Sequence, residues 1–236
     1  MLGDENGKVP LHWQTALKPY DTGKRIVESD DFSGSKLKIN WQWNHNPDDK
    51  AWSLTERKGY LRLKTSSVVD NLFSAPNSLT QRMEGPQCSG VISMDISKMK
   101  DGDVAGFSAF NGDAGILSVK MEGKKKYLVM ASNSVSLDNS TKAVTKVSVD
   151  EKAKVLINNK IIYLRVDGDF NLNKDLATFF YSFDNKKWMQ IGPEYKMIFD
   201  YRRLFMGSKF AIFNYATKAS GGYVDVDFFH YKVMSH

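Results

Sequence analysis

From Asp31 onward, apolar residues never recur at helical spacing over a sustained stretch. They come instead in short β-branched and aromatic runs separated by Gly, Asn, Asp and Ser clusters. Punctuation of this kind, about every ten residues, suits the hairpin-linked strands of a sandwich rather than βαβ units. The pattern predicts strands at 41–43, 52–55, 60–64, 79–82, 90–96, 104–110, 115–122, 125–131, 145–149, 161–167, 176–183, 189–191, 209–215 and 223–231, with a short turn of helix within 195–204. Several have one apolar and one polar face. Leu61 and Leu63 oppose Tyr60, Arg62 and Lys64; Leu79 and Gln81 oppose Thr80 and Arg82; Ile92, Met94 and Ile96 oppose Ser93 and Asp95. The fold class is all-β, a two-sheet antiparallel β-sandwich.

At 236 residues the chain is long enough for one large domain with its own core. Residues 1–28 carry Pro10 and Pro19 and little strand periodicity, so they read as a linker, with the sandwich at 29–236. Their first 25 positions hold no apolar stretch of signal-peptide type. Elsewhere, too, no apolar run approaches the roughly 18 residues of a membrane-spanning helix. Lys and Arg outnumber Asp and Glu by 33 to 27, but they are scattered, and the run Lys124–Lys126 falls at an expected hairpin tip. Neither membrane nor nucleic acid is therefore an expected partner. Cys88 is the only cysteine, which excludes a disulfide or a cysteine-based zinc site within the chain.

Residues 40–57, N-W-Q-W-N-H-N-P-D-D-K-A-W-S-L-T-E-R, gather three of the five tryptophans. Trp41 and Trp43 share a strand face, and Asn44, His45, Asn46 and Pro47 read as a turn beyond its end. Indoles beside amides and an imidazole suit a flat, polyhydroxylated ligand; the alternative is that the indoles are core. The candidate carbohydrate-binding residues are Trp43, Asn44, His45, Asn46, Trp52, Arg82 and Asn214. Asp30 and Asp31 before the first strand, with Asp227 in the last, form a candidate set of hard oxygens for Ca²⁺ where terminal strands pair. The alternation of Asp167, Asp169, Asn171, Asn173 and Asp175 imitates a calcium loop. Leu172 stands where that loop needs Gly and Thr178 where it needs Glu, so a hairpin turn is expected. His12, His45, His230 and His236 have no metal-ligand spacing.

The succession W-Q-W-N-H-N-P, W-S-L-T-E-R, G-Y-L-R-L, L-T-Q-R, M-K-D-G-D-V-A-G-F-S-A-F, Y-S-F-D-N-K-K-W, F-A-I-F-N-Y-A-T-K and G-G-Y-V-D-V-D-F-F resembles the C-terminal concanavalin A-like sandwich of glycoside hydrolase family 43. That type accompanies β-xylosidases and α-L-arabinofuranosidases and is also classed as carbohydrate-binding module family 91. V-P-L-H-W-Q-T-A-L-K-P-Y-D-T-G-K likewise resembles the segment leaving the catalytic propeller. The resemblance implies a jelly roll, xylan or arabinoxylan oligosaccharides as ligands, a catalytic propeller as partner, and a structural calcium near Asp30, Asp31 and Asp227. It implies a non-catalytic accessory module, because the paired carboxylates of such enzymes sit in the propeller. It also implies a loop reaching toward the catalytic pocket, for which 44–47 and 71–76, the latter with Phe73, are rivals. A domain that packs on the propeller with no glycan affinity of its own is the alternative.

Overall fold

The computed structural model describes residues 26–199 and 207–234. All but the last three positions of the expected linker, and the second half of the expected helical turn, lie outside the described residues. Among the described residues fifteen strands follow one another: β1 Gln42–Trp43, β2 Trp52–Ser53, β3 Leu61–Lys64, β4 Leu79–Arg82, β5 Gln87–Asp95, β6 Asp103–Asn111, β7 Asp113–Glu122 and β8 Lys125–Leu137. The rest are β9 Val144–Ile157, β10 Ile161–Asp169, β11 Leu176–Ser182, β12 Met189–Gln190, β13 Tyr195–Lys196, β14 Lys209–Ala216 and β15 Tyr223–Val233. They form a seven-stranded sheet ordered β1-β4-β14-β6-β7-β8-β9 and an eight-stranded sheet ordered β12-β11-β10-β5-β15-β3-β2, with β13 also on β11. The pairs are antiparallel throughout. Tyr195 and Lys196 are thus strand where a helical turn was expected, since β11 offers their backbone a ladder.

The inward rows meet in one core. Leu61, Leu63, Ile92, Met94, Leu164, Val166, Val224 and Val226 of the eight-stranded sheet face Phe107, Leu117, Val119, Leu128, Phe210 and Ile212 of the other. Phe107 stacks on Phe210 at 5.4 Å, and Phe229 packs against both. Gly90 makes room for this trio: a Cβ there would lie 2.9 Å from ring atoms of Phe107 and of Phe210. Strict alternation along β15 would send Phe228 inward after Val224 and Val226. A bulge at Asp227 shifts the register, so Phe229 enters the core and Phe228 turns outward.

The outer face of the seven-stranded sheet departs from simple alternation. Val104, Phe110, Ile116, Ala211, Phe213 and Tyr215 on that face form a second cluster with Leu72 and Ala75. The covering segment is fastened at Val68, which bridges Ala216, and at Val69 N–H, which donates to Ala216 O at 2.9 Å. Every residue of β6 is consequently buried.

Candidate functional site

The tryptophan-rich stretch divides between core and surface. Trp41 is only 7% exposed. It packs on Phe32 and Phe229 at 5.8 and 5.1 Å, and its Nε1–H donates to Asp30 Oδ2 at 2.8 Å. Trp43 and Trp52 are half-buried and lie 5.3 Å apart, and Trp52 Nε1–H donates to Asp49 Oδ1 at 3.1 Å. Both pack against the main core.

Asn44 and His45 spend their polar atoms locally. Asn44 Nδ2–H donates to Phe73 O at 3.4 Å and His45 Nε2–H donates to the same oxygen at 2.5 Å, with the imidazole edge-on to the Phe73 ring. The two rival loops are therefore one ridge, closed further by Asn77, which holds Asp48 through its side-chain amide. Asn46 is exposed beside it.

Arg82 and Asn214 do not join that ridge. Arg82 is exposed at a separate hollow with Gln42, Met83, Phe199 and Lys209. Asn214 corrects the expectation of an exposed sugar contact: it is 3% exposed and its Nδ2–H donates to Leu63 O at 2.8 Å, tying the two sheets together. On β14 it shares the inward row with Phe210 and Ile212; its Nδ2–H finds a backbone partner there, while its buried Oδ1 has none.

Arg62 and Arg82, each on the polar side of its strand, do not share a face, because β3 and β4 belong to different sheets. Arg62 is bidentate to Asp225, at 2.7 and 2.9 Å, and stacks over Tyr223. Arg57 bridges Asp95 and Asp225 and lies over Tyr60. These guanidiniums are occupied by carboxylates held across the strand registers.

The proposed calcium ligands have the wrong surroundings for a cation. Asp30 accepts from the Trp41 indole and, through Oδ1, from Phe32 N–H at 3.1 Å, with the Lys38 ammonium 3.7 Å away. Asp31 is exposed and its Oδ1 accepts from Ser33 N–H and Oγ–H, which hold its pKa below the usual value. Among the described residues, no three His, Cys, Asp or Glu side chains gather as a metal set. Donor hydrogens and an ammonium around Asp30 suit its carboxylate and disfavour Ca²⁺ there, while Asp227 sits at the bulge of β15. The Asp167–Asp175 alternation is the β10–β11 hairpin, its turn made by Asn173 and Asp175 at φ 66° and 48°.

A cleft of about 510 Å³ lies on the outer face of the seven-stranded sheet. Leu72 and Asn71 of the covering segment form one wall and Val149 and Glu151 of β9 the other, with Ile116, Ser118, Ala131 and Asn133 between them and Tyr215 among the lining residues. Asn133 is 2% exposed, and neither its amide nitrogen nor its oxygen meets a protein partner. In the adjacent cross-strand row, beside Ile116, the buried Ser108 hydroxyl is equally unpartnered. Asp103 accepts from Lys100 N–H through Oδ2 at 2.7 Å but leaves Oδ1 unbonded, and burial pushes its pKa up. Burial, then the Asp70 charge, raises the Tyr215 phenol and keeps it a neutral donor. Asn133 escaped sequence reading because β8 was expected to end at 131; carried to Leu137, its alternation puts Asn133 on the same face as Ala131.

The sequence model of the β-xylosidase C-terminal concanavalin A-like domain of glycoside hydrolase family 43 matches residues 29–232. The chain belongs to this family. A β-xylosidase of Formosa agariphila is 32% identical over 260 aligned residues, which take in 98% of this chain and 39% of that protein. A bifunctional GH43-CE structure from Bacteroides eggerthii superposes with a TM-score of 0.81 at 41% identity, over 98% of this chain and 29% of that one. A GH43 glycoside hydrolase engineered to display both endo-xylanase and exo-arabinofuranosidase activity gives 0.84 at 31% identity, over 98% and 46%. The GH43 C-terminal domain thus spans less than half the length of these relatives. It is the accessory, concanavalin A-like sandwich of such enzymes, and these residues include no catalytic propeller.

Proposed function

We propose that this accessory domain binds xylan-type or arabinoxylan oligosaccharides without turning them over, in the cleft on the outer face of its seven-stranded sheet. The observation that carries the reading is Asn133. A buried amide with no partner costs stability, and native proteins keep such groups chiefly where something else satisfies them. A sugar hydroxyl both donates and accepts, so one pyranose meets both needs of that amide. Tyr215 supplies an apolar ring with a polar tip, and Ser118 supplies a further partner. Exposed Asn46 and the half-buried Trp43–Trp52 pair offer a second glycan contact outside the cleft.

Calorimetric titration with xylohexaose tests this. Asn133→Ala is expected to lose the affinity while its melting temperature stays level or rises, because an unsatisfied polar group has been removed. Undiminished binding by that variant places the glycan elsewhere. The wild-type domain is expected to release nothing from aryl xyloside or aryl arabinofuranoside, and turnover that a single Asp or Glu substitution abolishes would overturn its non-catalytic assignment.

A second reading is supported by apolar side chains at the end where residue 26 enters. Ile26 and Ile39 are exposed and linked through Asn40, whose side chain donates to Ile26 O at 3.0 Å. Such a patch suits docking against the propeller of a parent enzyme. Weak binding of xylohexaose by wild type and Asn133→Ala alike would favour this role.

A further inference from the structure

The opposite face of the sandwich carries a second, chemically different hollow. It measures about 280 Å³ and is lined by Ser89, Val91, Arg165, Asn185, Trp188, His230, Tyr231 and Lys232. Strand pairing assembles it: β5, β10 and β15 lie side by side, and the turn after β11 brings Asn185 and Trp188 over them. Arg165 is clamped, with its guanidinium carbon 4.0 Å from the Phe180 ring centre and 5.0 Å from that of Trp188. Its Nε is buried and lies 3.3 Å from Asp167 Oδ2, but without the alignment of a hydrogen bond. Asp167 is itself held by Ser89 Oγ–H at 2.6 Å. Along β15, His230 stacks on Phe228 at 3.9 Å and continues the apolar floor.

The charge of the two hollows differs in sign. Asp70, Asp103, Glu122 and Glu151 line the cleft against two ammoniums, Lys120 and Lys218. Among the described residues no carboxylate lines the smaller hollow itself; Asp167 stands behind it, paired with Arg165 and Ser89, so the unopposed ammonium at its rim is Lys232, with Lys186 and Lys187 in the adjoining turn. Rings and cations together ask for a ligand with one C–H face and one anionic group. A bare inorganic anion would use only the cations, and a neutral pyranose only the rings.

We propose that this hollow is a binding site for a carboxylate-bearing sugar, a uronate, with Trp188 against the ring face and Lys232 and Arg165 directed to the carboxylate. It stands independently of the cleft and would let the domain hold an acidic glycan on one face and a neutral one on the other.

The test is a titration of the ¹⁵N-labelled domain with D-glucuronate, D-xylose and inorganic phosphate at low salt, following the Trp188 indole and the Ser89, Arg165 and Lys232 amides. Glucuronate is expected to shift these signals saturably and more tightly than either control, and added salt to weaken it. Lys232→Gln, an exposed change that leaves the fold intact, is expected to reduce affinity about two- to fivefold. Trp188→Ala is expected to reduce it roughly tenfold. The proposal is overturned if glucuronate binds no better than xylose, if phosphate binds as tightly as glucuronate, or if Lys232→Gln binds unchanged. Xylohexaose affinity should survive both variants.

Discussion

Trp41→Phe is the substitution that best separates a structural hydrogen bond from a metal site. Asp30 is 5% exposed, and its Oδ2 accepts from the Trp41 indole at 2.8 Å. Phenylalanine keeps an aromatic ring against Phe32 and Phe229 but supplies no N–H. A hydrogen bond to a charged group contributes about 1.5–3 kcal/mol, and the lost ring area adds roughly 1 kcal/mol. The sum is about 2.5–4 kcal/mol, and each kcal/mol lowers the melting temperature of a domain this size by about 2–4 °C. The variant should therefore melt roughly 5–15 °C lower by differential scanning calorimetry. Trp41→Ala adds a cavity and should approach global unfolding, given typical stabilities of about 5–15 kcal/mol. In a cycle with Asp30→Asn, the two substitutions should couple by roughly 1 kcal/mol or more, because they share one bond. EDTA should leave wild type and Trp41→Phe unmoved. A chelator-induced fall in wild-type melting temperature that Asp30→Asn abolishes would show that the aspartate serves an ion, and the reasoning would fail.

Three further outcomes follow from the titrating groups. Burial raises the Asp103 pKa, so the folded state holds that proton more tightly than the unfolded chain, and the carboxyl's contribution is lost as pH rises through the folded value. Asp103→Asn should match wild type below the ordinary value of 3.8 and exceed it in urea stability at pH 7; equal stability at pH 7 would count against this. Asp138 and Asp184 are held down to about 2 by turn donors, foremost Thr141 N–H and Lys187 N–H respectively, so their contribution is present above 3.8 and lost as pH falls toward 2. Melting temperature should drop between pH 4 and 2, as set by these two pKa shifts, and drop less steeply in Asp138→Asn and Asp184→Asn. Burial pushes the Cys88 thiol up to about 12, so a disulfide reagent at pH 8 should label it only in denaturant, and stoichiometric labelling of folded protein would refute its burial.

Strand alternation made the architecture legible because most strands have one face on a common core. Leu61 and Leu63, or Ile92 and Met94, needed only the period of two to be assigned. Strand ends were less legible wherever pairing overrides composition. Residues 150–154, mostly charged, belong to β9 because β8 runs alongside them and supplies ladder bonds, although the strand was expected to end at 149. The bulge at Asp227 was equally hidden, since V-D-V-D-F-F fits strict alternation until Phe229 is found in the core.

Where polar groups are free to meet a ligand was not legible in the sequence, because polarity alone does not say whether a polar group is already satisfied. Asn44, His45 and Asn214 all look available in the sequence, yet each meets a carbonyl oxygen of the protein itself. Asn133 sits in an unremarkable A-S-N-S run and meets none. The difference arises from long-range register: β7 pairs Asn133 with Ala114, whose methyl offers no partner. Two rows along on the same face Ser118, another small residue, lines the cleft between Leu72 and Val149. A residue's capacity to bind is thus set by what its cross-strand neighbours lack. In this fold that favours the face where alternation was least obeyed.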